Sequence, residues 1–482
     1  MKKTLLSCFL LSCLSAGLIG GSAAVLDGRK NEVTVTETVL SGDRLAAEGL
    51  QIHSDFFLTG GDHGDIRNIW WSIEQRFAGE PVYNVDFHYA TEPYTREYEW
   101  EYGGLQLQTL GNYAPSSDVD WPQNAAYEDL ARRTVADTSR RDDPDSPYST
   151  VWMELADYFD HVPIDFALDT PGGVTDRTDG GSGELLYRKL NEVFRIPVTP
   201  DMRLLLELSI SNEETGALRS GSTADYNEQA HGHENAAGWY DQLFDMSSAC
   251  TADGVYFTFS PRPDGTPPLD VSQITLGYGI YYLPMVESTK HNGFREPVPD
   301  GLCCAIPLDP DDFDGIESVV YQENQDRLFV LARENGAYTL LSYRESTREL
   351  LSMLTLDASG EALTQLRCEA DGLLALYDGG SFQFIAEGAD GYAPVVAGTL
   401  SMLWPDAALD DESIQLAFDG ERLALVGWPG WNAFEDFYHI AVFDRDGLQY
   451  LASYSTSLSD TRSRSRYYLD GPKPTVAWVA PS

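Results

Sequence analysis

The chain has 482 residues, of which 43% are hydrophobic and 12% aromatic, and it carries 76 acidic against 32 basic side chains for a formal charge of −44 at pH 7. That apolar and aromatic content excludes a disordered acidic chain, and the charge excludes nucleic-acid binding, because phosphate backbones are held by clusters of Lys and Arg. The same charge repels anionic lipids and wall polymers, favours cationic partners or metal ions, and keeps an aromatic-rich protein soluble.

Lys2 and Lys3 precede an uncharged run from Thr4 to Leu26 that is long enough to span a bilayer, with the lysines holding the N-terminus in the cytoplasm. Gly20 and Gly21 weaken that helix, and Ser22, Ala23 and Ala24 close it in the small-residue pattern of a cleavage site. Residues 1–26 are therefore expected to be a membrane anchor or a signal peptide, with residues 27–482 extracytoplasmic. The product is a cell-membrane protein exposed outside or, after cleavage, a secreted one. Leu11 stands where a lipoprotein signal at Cys13 needs a small residue. An anchor with three residues before it leaves no cytoplasmic domain, so a sensor built this way works through a membrane partner.

Downstream, apolar residues alternate with period two: Val33, Val35 and Val39, then Tyr98, Trp100 and Tyr102, then Val255, Phe257 and Phe259. Such alternation predicts half-buried strands. Helical periodicity is confined to short stretches around Asn124 to Arg133 and Glu184 to Val193. Asp142 to Pro147 and Thr170 to Gly183 read as loops, the segment YSTVWMELADYFDHVPIDFALD as two strands around a turn, and Ser211 to Gln242 as a long polar insertion.

From residue 308 onward a strand recurs after an acidic or polar turn, at Leu328 in DRLFVLA, Leu373 in DGLLALY, Leu423 in ERLALVG and Val476 in TVAWVA, about 50 residues apart, which is a blade-sized repeat. In the first unit RLFVLA turns at Asn335-Gly336 into AYTLLSY and then into ELLSMLTL. The fold class is all-β, a β-propeller-like ring of about seven or eight blades. The alternative is an irregular β domain joined near residue 308, at IPLDPDDFDG, to a smaller β-repeat domain. In the ring, Pro481 and Ser482 follow the strand at Val476, so its sheet must borrow strands from elsewhere, and Val33 to Val39 is expected to supply one.

The segments TETVLSGDRLAAEGL, VWMELADYFDHVPIDFAL and FRIPVTPDMRLLLELSIS resemble uncharacterised, membrane-anchored extracytoplasmic β-rich proteins of Gram-positive bacteria. The resemblance implies one anchor and an external β domain and brings no known activity, so it assigns no catalytic residue.

The best metal candidate is the loop DYNEQAHGHENAAGWYD, where His231, His233 and Glu234, with Asp225 and Glu228 nearby, offer imidazole and carboxylate ligands suited to zinc or another divalent ion. The bland alternative is a solvated polar loop. Asp309, Asp311, Asp312 and Asp314 cluster as for calcium, but an EF-hand register puts Pro310 and Tyr321 where acids are required, so an acidic turn is the better reading. Acids beside aromatics, such as Asp65 before Trp70 and Glu99 beside Trp100, would suit a glycosidase, yet no spacing selects a pair. No G-x-S-x-G elbow and no phosphate loop occurs. Arg462, Arg464 and Arg466 share one face if TRSRSRYY is a strand, either gripping an anion or pairing with neighbouring acids. Cys250, Cys303, Cys304 and Cys368 allow two disulfides in any of three pairings, or buried thiols.

The sequence thus points to a non-catalytic extracytoplasmic binding or accessory sensory module at the cell surface, with the membrane and a cell-surface protein as partners. The alternative is an extracellular carbohydrate-acting hydrolase on a propeller scaffold.

Overall fold

The computed structural model describes residues 2–29, 34–60, 66–78, 80–89, 104–109, 129–130, 132–133, 148–170, 173–176, 181–200, 202–210, 218–223, 244–261, 270–288, 295–356, 362–388, 391–400, 414–427, 438–457, 467–470 and 474–479. The chain is all-β, built of antiparallel, propeller-like meanders. It divides into two compact units, one formed by Met1–Tyr98 with Gly360–Ser482 and the other by Glu99–Ser359. Residue 308 falls inside the second unit. The N-terminal uncharged run lies in the helix Lys2–Arg29, and among the described residues no helix is long and apolar enough to cross a membrane.

In the first unit, two sheets run in strict sequence order. One comprises Leu363–Glu369, Gly372–Tyr377, Ser381–Gly388 and Gly391–Thr399, and the next Ile414–Phe418, Leu423–Gly427, Tyr438–Asp444 and Gly447–Thr456. The second strand of each is an unbroken apolar run because both of its faces are covered. Along Leu423–Gly427, Leu423 and Leu425 enter one core with Leu374, Phe384 and Phe443, while Ala424 and Val426 enter another with Ile52, Phe77 and Tyr450. Gly398 permits the close approach in the first of these cores. A Cβ there would lie 2.5 Å from the ring of Phe443, which meets Phe382 edge-on at 5.0 Å.

The third sheet of this unit is assembled from both halves of the sequence. Thr475–Trp478 pairs with Leu50–Gly60, Val476 facing Ile52, Tyr467–Asp470 pairs with the far end of the same strand, and Ile66–Ala78 and Glu80–Tyr89 complete the sheet. The borrowed strands are thus the ones after residue 50. Val35–Gly42, expected in that role, instead adds a fifth strand to the outer edge of Gly447–Thr456. Leu328, Leu373 and Leu423 occupy equivalent second strands, whereas Val476 sits in the position of a first strand. Its burial shows why: Thr475–Trp478 alternates exposed and half-buried residues, while the three others lie in runs buried on both faces.

The added strand is held by a buried polar chain. Tyr450 donates its hydroxyl to Glu37 at 2.6 Å and lies 2.6 Å from the hydroxyl of Tyr454, and Arg44 closes on the same carboxylate. The Tyr454 ring stacks on Tyr438 and meets Phe77 edge-on. Burial, followed by the Glu37 hydrogen bond, raises the Tyr450 pKa, so this hydroxyl stays a donor.

The second unit contains the meander predicted from DRLFVLA: Gly315–Gln322, Arg327–Glu334, Ala337–Arg344 and Glu349–Leu356. Asn335 and Gly336 both have positive φ, the conformation of a tight two-residue hairpin. The Asp-rich segment is a turn within this unit. Asp309 accepts from the Asp311 N–H and Asp314 from the Gly336 N–H, while Phe313 packs against the core of Ile316 and Leu328. Gly254–Phe257 is buried throughout rather than alternating, since Val255 and Phe257 face one core and Tyr256 another. The helix Ser182–Val193 matches the predicted Glu184 to Val193 and buries Leu186, Leu190 and Val193. Tyr148–Glu154 and Ile164–Thr170 are both strands, but they belong to different sheets and do not form a hairpin.

Tyr450→Phe removes one of the donors to Glu37, leaving Arg44, without altering ring packing. It is expected to lower unfolding free energy by about 1–3 kcal/mol, read as a lower urea midpoint at unchanged slope.

Candidate ligand-binding groove

Within the first unit, the turn between the first and second strands of each sequential sheet carries an aspartate, Asp371 in one and Asp419 in the other. Asp419 folds its own turn by accepting from the N–H groups of Glu421 at 3.0 Å and Arg422 at 2.7 Å. Gly420, at φ +100°, supplies the left-handed step that this turn needs. The turn sets the position of Arg422, whose Nε reaches the other Asp419 oxygen at 2.9 Å and whose Nη1 donates to the carbonyls of Ala46 and Glu48. Those carbonyls belong to the short helix Arg44–Ala47 and its end, started by Asp43 capping the Leu45 N–H. The guanidinium also lies 4.0 Å from the centroid of the Trp478 ring, an attraction of roughly 0.5–2 kcal/mol, and Trp478 Nε1 donates to the Ala417 carbonyl at 3.0 Å. One arginine therefore ties together a hairpin turn, a short helix and the borrowed strand.

These elements enclose an open groove of about 700 Å³. Its apolar lining includes Leu45, Phe418, Val476 and Val479, with Leu45 and Val479 solvent-exposed, and Glu48, Asp371 and Asp419 join Arg422 as its charged residues. Two strand edges border it. Among the described residues Ile414–Phe418 pairs only with Leu423–Gly427, and Thr475–Trp478 only with Leu50–Gly60.

The charged groups differ in how they are engaged. Burial opposes ionisation of Asp419, but the two backbone N–H groups and the Arg422 guanidinium outweigh it and hold the carboxyl below its ordinary value. The side chains of Glu48 and Asp371 are exposed and make no ion pair among the described residues. Elsewhere, each carboxyl group among the described residues with a displaced pKa is displaced downward, namely Glu74, Asp270 and Asp326. None is thereby kept protonated at neutral pH, as a glycosidase acid must be.

His231, His233, Glu234 and Arg462, Arg464 and Arg466 lie outside the described residues, as do Asp65, Glu99 and Trp100. Among the described residues no group of three or more His, Cys, Asp or Glu could hold a metal ion. Cys250, Cys303, Cys304 and Cys368 are free thiols. Cys250 and the Cys303–Cys304 strand lie three strand steps apart in one sheet, roughly 14 Å and too far for a bond. Burial pushes Cys304 up to about 11 and Cys368 up to about 12, which makes both poor nucleophiles. Sequence reasoning passed over Arg422 and Trp478, although both lie in the repeated strands it had marked. The usable signal was the Asp-Gly turn beginning at Asp419, with a cation three residues on.

No family model matches the chain, and no curated protein matches it. Among solved structures, apo AztD from Citrobacter koseri is similar at 8% identity over 89% of this chain and 98% of that one, with a TM-score of 0.26. The β-propeller domain of the Trilobed protease from Pyrococcus furiosus is similar at 10% identity over 43% and 71%, with a TM-score of 0.20. A complex of KlAtg21 with the coiled coil of AgAtg16 is similar at 10% identity and a TM-score of 0.23, over 43% of this chain and about half (54%) of that one. The fold assignment rests on the strand pairing described above.

Because the Asp419 pKa is depressed in the folded chain, its stabilisation is complete above the unfolded value near 4 and is lost as pH falls through the folded value. Asp419→Ala is accordingly expected to cost about 1–2 kcal/mol at pH 7. In urea unfolding at pH 3 the gap between variant and wild type should narrow.

Proposed function

We propose that the protein is a non-catalytic, extracytoplasmic ligand-binding module, held at the cell surface through residues 1–26 and acting as an accessory sensor or carrier through the groove of the first unit. The observation that carries this reading is the groove itself. Its volume lies within the range of small-molecule sites, its aromatic wall is fixed before any ligand arrives, and its one strongly engaged acid is committed to Arg422. A hydrolytic site needs two carboxyls with pKa values driven apart, whereas a binding site needs only shape, apolar surface and a few oriented polar groups. Export fits the uncharged N-terminal helix and the resemblance to anchored external proteins.

Two measurements test the proposal. Protease added to intact cells is expected to cleave the chain beyond residue 27, and protection until the membrane is broken would refute the topology. Full-length protein incubated with spent growth medium, repurified and denatured is expected to release a small molecule that a Trp478→Ala, Phe418→Ala variant does not retain. Steady release of reducing ends from cell-wall or storage polysaccharide by the wild type would replace binding with hydrolysis.

A further inference from the structure

The interior of the first unit carries a polar feature that is independent of the groove. On the face that Leu50–Gly60 and Ile66–Ala78 turn toward the core, Leu50, Ile52, Ile73 and Phe77 are buried and pack with Tyr438, Tyr450 and Tyr454. Two polar residues interrupt this face. Ser54 follows Ile52 two residues on, and Gln75 stands between Ile73 and Phe77; they are 1% and 0% exposed. Ser54 lies opposite Ile73 and Gln75 opposite Ile52, so the two interruptions are diagonal neighbours on adjacent strands. Neither amide atom of Gln75 nor the Ser54 hydroxyl meets a hydrogen-bond partner within the protein, and a buried amide left dry is strongly unfavourable. The tyrosine hydroxyls of the same core are engaged elsewhere, since Tyr450 donates to Glu37 and Tyr454 bonds to Tyr450. The ladder on the inner edge of Leu50–Gly60 also breaks at this level. Among the described residues, Leu50–His53 pairs with Thr475–Trp478, and pairing resumes at Phe57 against Asp470.

We propose that Gln75 and Ser54 hold a buried water molecule, a site built into the sheet that closes the first unit. Diagonal neighbours across an antiparallel pair stand roughly 7–8 Å apart. A water accepting and donating bonds of about 2.8 Å each bridges such a separation between a short serine side chain and a glutamine amide. The amide offers two donors and an acceptor oxygen, and the serine hydroxyl acts as both donor and acceptor. A water has two donors and two acceptors to match them. Buried waters make about three hydrogen bonds each, and these two side chains present three polar atoms. An ion is disfavoured because both side chains are neutral and the residues around them are apolar or aromatic. An organic molecule has no way in, since Ile52, Ile73, Phe77 and Tyr438 are each at most 3% exposed. The water thus stands in for a side-chain hydrogen bond between the closing strand Leu50–Gly60 and its neighbour Ile66–Ala78.

A high-resolution crystal structure of the full-length protein is expected to show an ordered water within hydrogen-bond distance of both the Gln75 amide and Ser54 Oγ. A Gln75 amide bonded directly to Ser54 or to a tyrosine, with no water between, overturns the proposal. A double-mutant cycle in urea tests it in solution. Gln75→Met keeps the length of the side chain and removes its polar atoms, and Ser54→Ala removes the hydroxyl. Each single variant is expected to raise the unfolding constant by about fivefold or more. The double variant is expected to raise it by at least about twofold less than the product of the two single effects, because both side chains bond one water. Purely multiplicative effects overturn the shared site. So does a Gln75→Met protein more stable than wild type, which would mean that the amide is dry and only unfavourable. Should either variant fail to fold, the wild-type crystal structure decides the question by itself.

Discussion

The pairing of Thr475–Trp478 with Leu50–His53 is the contact on which the first unit depends. Without it, Leu50–Gly60 would lose its neighbour at its buried end, and Arg422 would lose the ring against which it lies. The Ala46 and Glu48 carbonyls that Arg422 joins are positioned by the chain entering that same strand. Val35–Gly42 adds a second tie from the N-terminal side, locked by Glu37 between Tyr450 and Arg44. An isolated edge strand is a liability in a soluble protein. Here both N-terminal strands are used to cover edges, and the groove forms where the closure leaves two first-strand edges open.

Much of this architecture was legible because the apolar pattern reports how many faces a strand buries. RLFVLA, LLALY and LALV are continuous since each lies between two cores, and their recurrence gave the repeat directly. The Asn335-Gly336 hairpin was readable from its turn chemistry alone. Which strand partners Val476 was not readable, because Val35–Gly42 and Leu50–Gly60 are both apolar enough to pair and only long-range packing selects between them. Local sequence favours the earlier segment, while the Tyr450–Glu37 bond sends it to the neighbouring sheet. The groove was hidden for a related reason. Its parts come from residues 45–48, 371, 416–422 and 476–479, and no one window contains enough of them to suggest a site. The histidine loop attracted attention because its residues are adjacent in sequence, which is what a site assembled by closure lacks.

Charge gives the molecule a consistent asymmetry. Cations are scarce, and in the first unit Arg44, Arg76, Arg367 and Arg422 are committed to carboxylates or carbonyls. These bonds organise turns and edges rather than adding much stability, since exposed ion pairs contribute roughly 0–1 kcal/mol. The surplus acids are left free to define the surface.

The closure also sets the order in which the protein can mature. Glu37 and Tyr450 are 413 residues apart in sequence, so Val35–Gly42 has no strand partner until Gly447–Thr456 has been made, a delay of roughly 20–80 s at ordinary rates of synthesis. Contacts of such long range also form slowly. During that interval Val35–Gly42 lacks its strand partner. The step that locks the first unit therefore waits for the strand Gly447–Thr456, made long after Val35–Gly42.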